Sequence, residues 1–175
     1  MTHEGFIQYR LDHRIGELDR NRFVDQVCKL ASWRQILSRT GLVGQDPGRY
    51  QGAGFGNVSC RVGPPSSGRG SRAFLITGTQ TGIKRVIGLI DFALVERYDY
   101  QENHLTSCGL VKPSSEALTH AALYDMGPQI RCVFHAHSPS IWQRRKELRL
   151  ATTDQDVGYG TPEMANEVQR LYAGT

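Results

Sequence analysis

Two proline-led helix starts bracket a strand-like stretch rich in apolar residues, and this arrangement restricts the fold more than any other feature. The first is Pro113-Ser114-Ser115-Glu116. Proline suits an opening turn, Ser114 or Ser115 can cap free amides, and Glu116 answers the positive end of the helix dipole. The predicted helix runs to about Met126, buries Leu118, Ala122 and Leu123, and stops at Gly127-Pro128. Ile130 to Ala136 follows as an apolar strand. Thr161-Pro162-Glu163 opens the second helix, with Met164, Val168 and Leu171 on one face.

Upstream, Asp19 to Arg39 sets Phe23, Val27, Leu30, Trp33 and Leu37 at helical spacing, with Asp19 as N-cap and Gly41 as the stop. Asn57 to Val62 alternates so that Val58, Cys60 and Val62 share one face of a sheet, and Phe74 to Thr77 supplies a partner strand. Gly63 to Gly70 is the loop between them, too short for an interdomain linker. Ile83 to Asn103 is irregular and fits a short helix plus a strand. Helices interleaved with short strands predict an α/β or α+β fold.

At 175 residues, 39% hydrophobic and 22% charged, residues 1–175 read as one globular domain. No apolar run approaches the roughly 18 residues of a membrane helix, and Met1-Thr-His-Glu-Gly-Phe6 lacks a basic-then-apolar leader. A cytoplasmic protein with no membrane partner is expected. The 21 Lys and Arg exceed the 17 Asp and Glu by +4 but are scattered, so no nucleic-acid partner is expected either. Cys28, Cys60, Cys108 and Cys132 form no C-x-x-C pair and read as buried free thiols.

The sharpest chemical feature is His135-Ala136-His137 at the end of the apolar strand. Residues i and i+2 share a face, so both imidazoles can converge on one cation. The helix-turn-strand unit brings Glu116 to the same end, as a third ligand or a general base. His120, one turn after Glu116, reads as a packing residue. Gly52-Ala-Gly-Phe-Gly-Asn57 precedes a strand, so it is no dinucleotide fingerprint, but a glycine-rich turn still lets amides approach an anion. With Ser114-Ser115 and the hydroxyl-rich Thr77 to Gly82, three such loops suggest a small phosphorylated or carboxylated substrate.

Several of these pieces occur together in a recognisable order: Gly56-Asn57-Val58-Ser59 with Arg61, Leu75-Ile-Thr-Gly-Thr79, Lys112-Pro-Ser-Ser-Glu116 with His120, Val133-Phe-His-Ala-His-Ser138, and Tyr159-Gly-Thr-Pro-Glu-Met-Ala165. The chain thereby resembles the class II aldolase/adducin domains, typified by fuculose-1-phosphate aldolase. The resemblance implies a three-layer α/β/α domain around a mostly antiparallel sheet, assembled as a homo-oligomer, with a tetramer favoured. It implies a zinc-dependent (or other divalent-metal) lyase cleaving a small keto-sugar or sugar phosphate through a metal-stabilised enediolate. Epimerase or dehydratase chemistry and an inactive adducin-like scaffold are the alternatives. His135 and His137 carry over as metal ligands, and Glu116 as ligand and acid/base. Asn57, Thr79, Ser114 and Ser115 carry over as the substrate-phosphate pocket, with the family's Thr-Gly pair in the third loop matching either Thr79-Gln80 or Thr81-Gly82. The family's third histidine ligand has no counterpart before Thr175, which leaves a fragment lacking the C-terminal part of the domain, substitution by His104 or His120, or lost catalysis.

Overall fold

The computed structural model describes residues 6–174, so the opening Met1 to Gly5, read above for a leader, lies outside the described residues. A six-stranded sheet has the order β1-β7-β6-β5-β4-β8. Its strands are β1 (Arg10–Ile15), β4 (Asn57–Arg61), β5 (Phe74–Thr77), β6 (Phe92–Asp99), β7 (His104–Gly109) and β8 (Cys132–His135). β1 runs parallel to β7, and the other neighbouring pairs are antiparallel. A two-stranded ribbon, β2 (Gly44–Gln45) with β3 (Gly54–Phe55), stands apart from the main sheet. The helices are α1 (Arg20–Arg39), α2 (Ala117–Tyr124), α3 (Pro139–Gln143) and α4 (Pro162–Ala173), giving a mixed α/β fold.

The sheet buries both faces because its central strands alternate two apolar sets. Val58, Cys60, Leu75, Leu94 and Cys108 meet Phe23, Val27 and Leu30 of α1. Phe74, Ile76, Val95 and Leu105 meet Ala117, Leu118, Ala121 and Tyr124 of α2. Truncating a ring such as Phe23 to alanine would cost about 3–5 kcal/mol in a core of this kind. α4 lies against α2, where Gln169 Nε2 donates to the Ala122 carbonyl at 2.9 Å.

Asp19 caps α1 as its sequence predicts, accepting from the amides of Asn21 and Arg22. The buried face of α1 differs by one position from the expected one. Trp33 is 52% exposed and tilts against Phe134 of β8, whereas Arg34 is 3% exposed. Arg34 goes inside because its guanidinium donates to the carbonyls of Lys84, Thr81 and Gly82, which pair its buried charge with three acceptors. α2 begins at Ala117, later than expected, because Pro113 pairs with Gly78 in a β-bridge and Ser114 Oγ accepts from the Glu116 amide, leaving Glu116 at the N-cap. β8 covers only the centre of the apolar stretch. β1 and β7 carry no clear alternation in sequence. Of the four free thiols, Cys60 and Cys108 are buried, but Cys28 and Cys132 are exposed. Among the described residues no helix is long and apolar enough to cross a membrane.

Candidate functional site

A loop pair at one end of the sheet builds the floor of a cavity of about 730 Å³. The Thr79 amide donates to the Lys112 carbonyl at 2.9 Å, and the Ser114 amide to the Thr77 carbonyl at 3.1 Å. These bonds zip the segment that starts α2 onto the segment that ends β5. The approach is close enough that a Cβ on Gly78 would sit 2.4 Å from Val111 Cγ2. Thr79 and Ser114-Ser115-Glu116 are thereby brought to one wall. Tyr9, which sequence reasoning did not single out, fixes this wall from below by donating its hydroxyl to the Ser114 carbonyl at 2.8 Å. Burial, with the neighbouring Glu116 charge as the lesser cause, holds the Tyr9 hydroxyl protonated far above its ordinary range.

The opposite wall comes from β4 and β8. Asn57 and His135 are directly opposed in the antiparallel register. Their side chains share a face, and Asn57 Nδ2 lies 3.2 Å from His135 Nδ1. The turn into β4 passes through Gly56 at φ +72°, where a Cβ would meet Val43 Cγ1 at 2.6 Å and the His135 carbonyl oxygen at 2.8 Å. Only glycine lets the two segments close. His137 follows at i+2, its ring centroid 4.7 Å from that of His135. His135 and His137 line the same cavity as Asn57, Thr79, Ser114, Ser115 and Glu116, so all seven sequence-derived candidates surround one space.

The His137 segment is held by groups that the sequence did not flag. Its amide donates to the Leu42 carbonyl at 2.8 Å. Arg49 donates to its carbonyl at 3.2 Å and to that of Gly41 at 2.9 Å, while stacking 4.0 Å above the Phe55 ring. Tyr50 meets the His137 ring edge-on at 4.7 Å. Arg49 and Tyr50 sit in an irregular turn, where no periodicity points to them. Tyr50, Gln51 and Gln80 are all non-glycine residues at positive φ, and all three line the cavity. Strained backbone of this kind collects at functional sites.

Burial sets the protonation of the imidazoles. His120 is fully buried, and desolvation, reinforced by His135, pushes its pKa down to about 3. His137 is pushed down to about 4, chiefly by burial, with His135 and Arg49 adding to it. Burial also lowers His135, against an opposing pull from Glu116. All three rings are therefore neutral at pH 7, the form in which histidine ligates metal. The adjacent pair His135 and His137 suits two positions of a divalent ion.

The third donor is not gathered there. Among the described residues no group of three His, Cys, Asp or Glu stands close enough to hold a metal ion, whereas a catalytic zinc takes three protein ligands. Glu116, expected to meet the imidazoles, instead accepts from Thr119 Oγ1 at 2.8 Å through Oε2, which directs the carboxylate along its own helix. Neither alternative histidine replaces it. His104 is engaged by Asp12 at 2.9 Å, and His120 Nδ1 lies 2.7 Å from Ser59 Oγ, which in turn contacts the Tyr124 hydroxyl at 2.6 Å. His120 is thus a packing residue with a polar function, joining α2 to β4.

The family model described as Class II Aldolase and Adducin N-terminal domain matches residues 48–160. That span holds the cavity's lining from Tyr50 through Tyr159, and leaves Phe6 and Gln45 of the lining, and β1, α1 and α4, outside. No curated protein matches the chain.

Proposed function

The chain belongs to the class II aldolase/adducin family, and from that premise we propose that it is a divalent-metal-dependent, zinc-type lyase cleaving a small keto-sugar or sugar phosphate by retro-aldol chemistry. Members of this family generally use divalent metals, and they include non-enzymatic adducins as well as aldolases. The observation that carries the reading is the pair of neutral imidazoles, His135 and His137, facing one cavity with the buried carboxylate of Glu116. His135 and His137 would hold the ion, with Glu116 as the third protein donor at rest. When bound, a divalent metal supplies Lewis-acid polarisation of a carbonyl, worth several kcal/mol of charge stabilisation.

The remaining work falls to this chain's own groups. The hydroxyls of Thr79, Ser114 and Ser115 and the Asn57 amide offer donors to phosphate or hydroxyl oxygens and so orient the substrate. Buried in the same cavity, Glu116 takes the proton of the hydroxyl that becomes the released aldehyde as the C–C bond breaks and returns a proton to the carbon next to the substrate carbonyl, general acid/base catalysis contributing about 10²- to 10⁴-fold. Epimerisation and dehydration of the same substrate class are the alternative reactions within the family. We further propose a homo-oligomeric, tetrameric, cytoplasmic protein.

One observation favours a second reading. Because no three-donor group is assembled among the described residues, a scaffold domain that keeps the fold without the chemistry, as in adducins, is the rival. Elemental analysis with a sugar-phosphate screen separates the two. About one divalent ion per chain, lost in His135→Ala and His137→Ala, together with aldehyde release that Glu116→Gln abolishes, supports the lyase. A folded, metal-free protein that releases no aldehyde after metal is supplied refutes it.

A further inference from the structure

We infer that Cys60 and Cys132 are a redox pair: oxidation joins them in an intrachain disulfide that clamps the edge strand β8 onto β4, and reduction releases it. The inference stands apart from the lyase reading and uses none of its donors. The two residues face each other in the antiparallel β4–β8 register, so their side chains leave the sheet on the same side, toward α1. The Arg61 amide donates to the Arg131 carbonyl at 2.9 Å. That bond makes Arg61 and Arg131 a hydrogen-bonded pair, and the alternation of an antiparallel ladder makes the next pair, Cys60 and Cys132, a non-hydrogen-bonded one. Cα atoms of such a pair stand about 4.5 Å apart with their side chains drawn close, inside the roughly 4.4–6.8 Å that a disulfide spans.

The two thiols are unequal in access. Cys132 is exposed at the sheet edge, whereas Cys60 is 8% exposed in the core. Burial holds both protonated above the ordinary thiol range, with Arg131 pulling Cys132 part of the way back. Oxidation therefore starts slowly, and at Cys132. Hydrogen peroxide converts that thiol to the sulfenic acid and releases one water. The Cys60 sulfur then attacks the Cys132 sulfur, and the hydroxyl departs as a second water carrying the Cys60 proton. Two electrons pass from the sulfurs to the peroxide O–O bond, and each thiol gives up one hydrogen. Cys60 is shielded from reagents in solution, yet the sulfur it needs belongs to its own strand partner. In the sheet order β8 is terminal, with β4 its one neighbour among the described residues, and elements with few contacts open first. A bond between residues 72 positions apart also closes a long loop in the unfolded chain, which favours the fold.

The test treats the full chain with hydrogen peroxide, blocks the remaining thiols and maps peptides by mass without reduction. The Cys60 and Cys132 peptides are expected as one joined species, lighter by two hydrogens than the separate pair. The Tm of the oxidised protein should rise by about 5 °C or more, and amide exchange in residues 131–135 should slow about tenfold, both returning on reduction with dithiothreitol. Cys132→Ser, a change at an exposed position, should keep the Tm of the reduced protein and lose both the bond and the gain in Tm under the same treatment. Cys28→Ser should behave as wild type. Any result in which Cys60 stays a thiol, including a sulfinic acid at Cys132, overturns the inference. So does a bond that joins two chains or engages Cys28 or Cys108, and so does a Cys60 to Cys132 bond that leaves the Tm and the exchange of β8 unchanged.

Discussion

The buried His120 makes acid the agent that should unfold this protein, and the size of the effect follows from its surroundings. In the unfolded chain the ring titrates near its ordinary value of 6.5, whereas in the fold burial and the neighbouring His135 bring it to about 3. Between these values the unfolded state binds the extra proton, so stability is full above pH 6.5 and falls as pH drops. One group shifted this far contributes about 1.4 kcal/mol per pH unit, or roughly 3 kcal/mol from pH 6.5 to 4. Domains of this size are stable by only about 5–15 kcal/mol in all. Urea unfolding at intervals across that range, on wild type and His120→Gln, isolates the term, because His135 and His137 titrate in both proteins. The wild-type curve should fall about 3 kcal/mol further than that of the variant. Parallel curves would refute the assignment of His120 as a neutral, buried base.

Three further outcomes follow from packing. Gly56→Ala should lose about 2 kcal/mol or more, seen as a drop of roughly 4–8 °C in Tm, since the new methyl meets Val43 and the His135 carbonyl at a left-handed φ. Arg34→Met should lose about 2–3 kcal/mol in urea unfolding and speed amide exchange in residues 81–84, because the carbonyls of Thr81, Gly82 and Lys84 lose their shared donor. With a thiol-specific reagent, exposed Cys28 and Cys132 should react in the native protein. Cys60 should stay silent until unfolding, its thiol being buried and pushed up to about 12.

Local rules made much of this legible before any coordinates. Asp19 as a cap, the Val58/Cys60 alternation and the Thr161-Pro162 start are decided by a few neighbouring residues, and the structure keeps them. The joint motifs likewise led to the family and to seven side chains that share one cavity. Long-range geometry was hidden. Nothing in helical spacing distinguishes Arg34 from an exposed arginine, because its partners are carbonyls 47 to 50 positions away. β1 pairs in parallel with a strand 94 residues later and has little alternation of its own. Glu116 was placed correctly at the head of α2, but spacing could not reveal that Thr119 would claim its carboxylate.

The bridge from Ser59 to His120 and Tyr124 acts as a strut. Glu116 rides on the tip of α2, while His135 is registered to β4 through Asn57, so acid and imidazole belong to different bodies. The buried hydroxyl at Ser59 bolts those bodies together two residues from Asn57 and one helical turn from Glu116. The spacing between the two halves of the site is consequently governed by three side chains that line none of the cavity, and thermal breathing there would detune both halves at once.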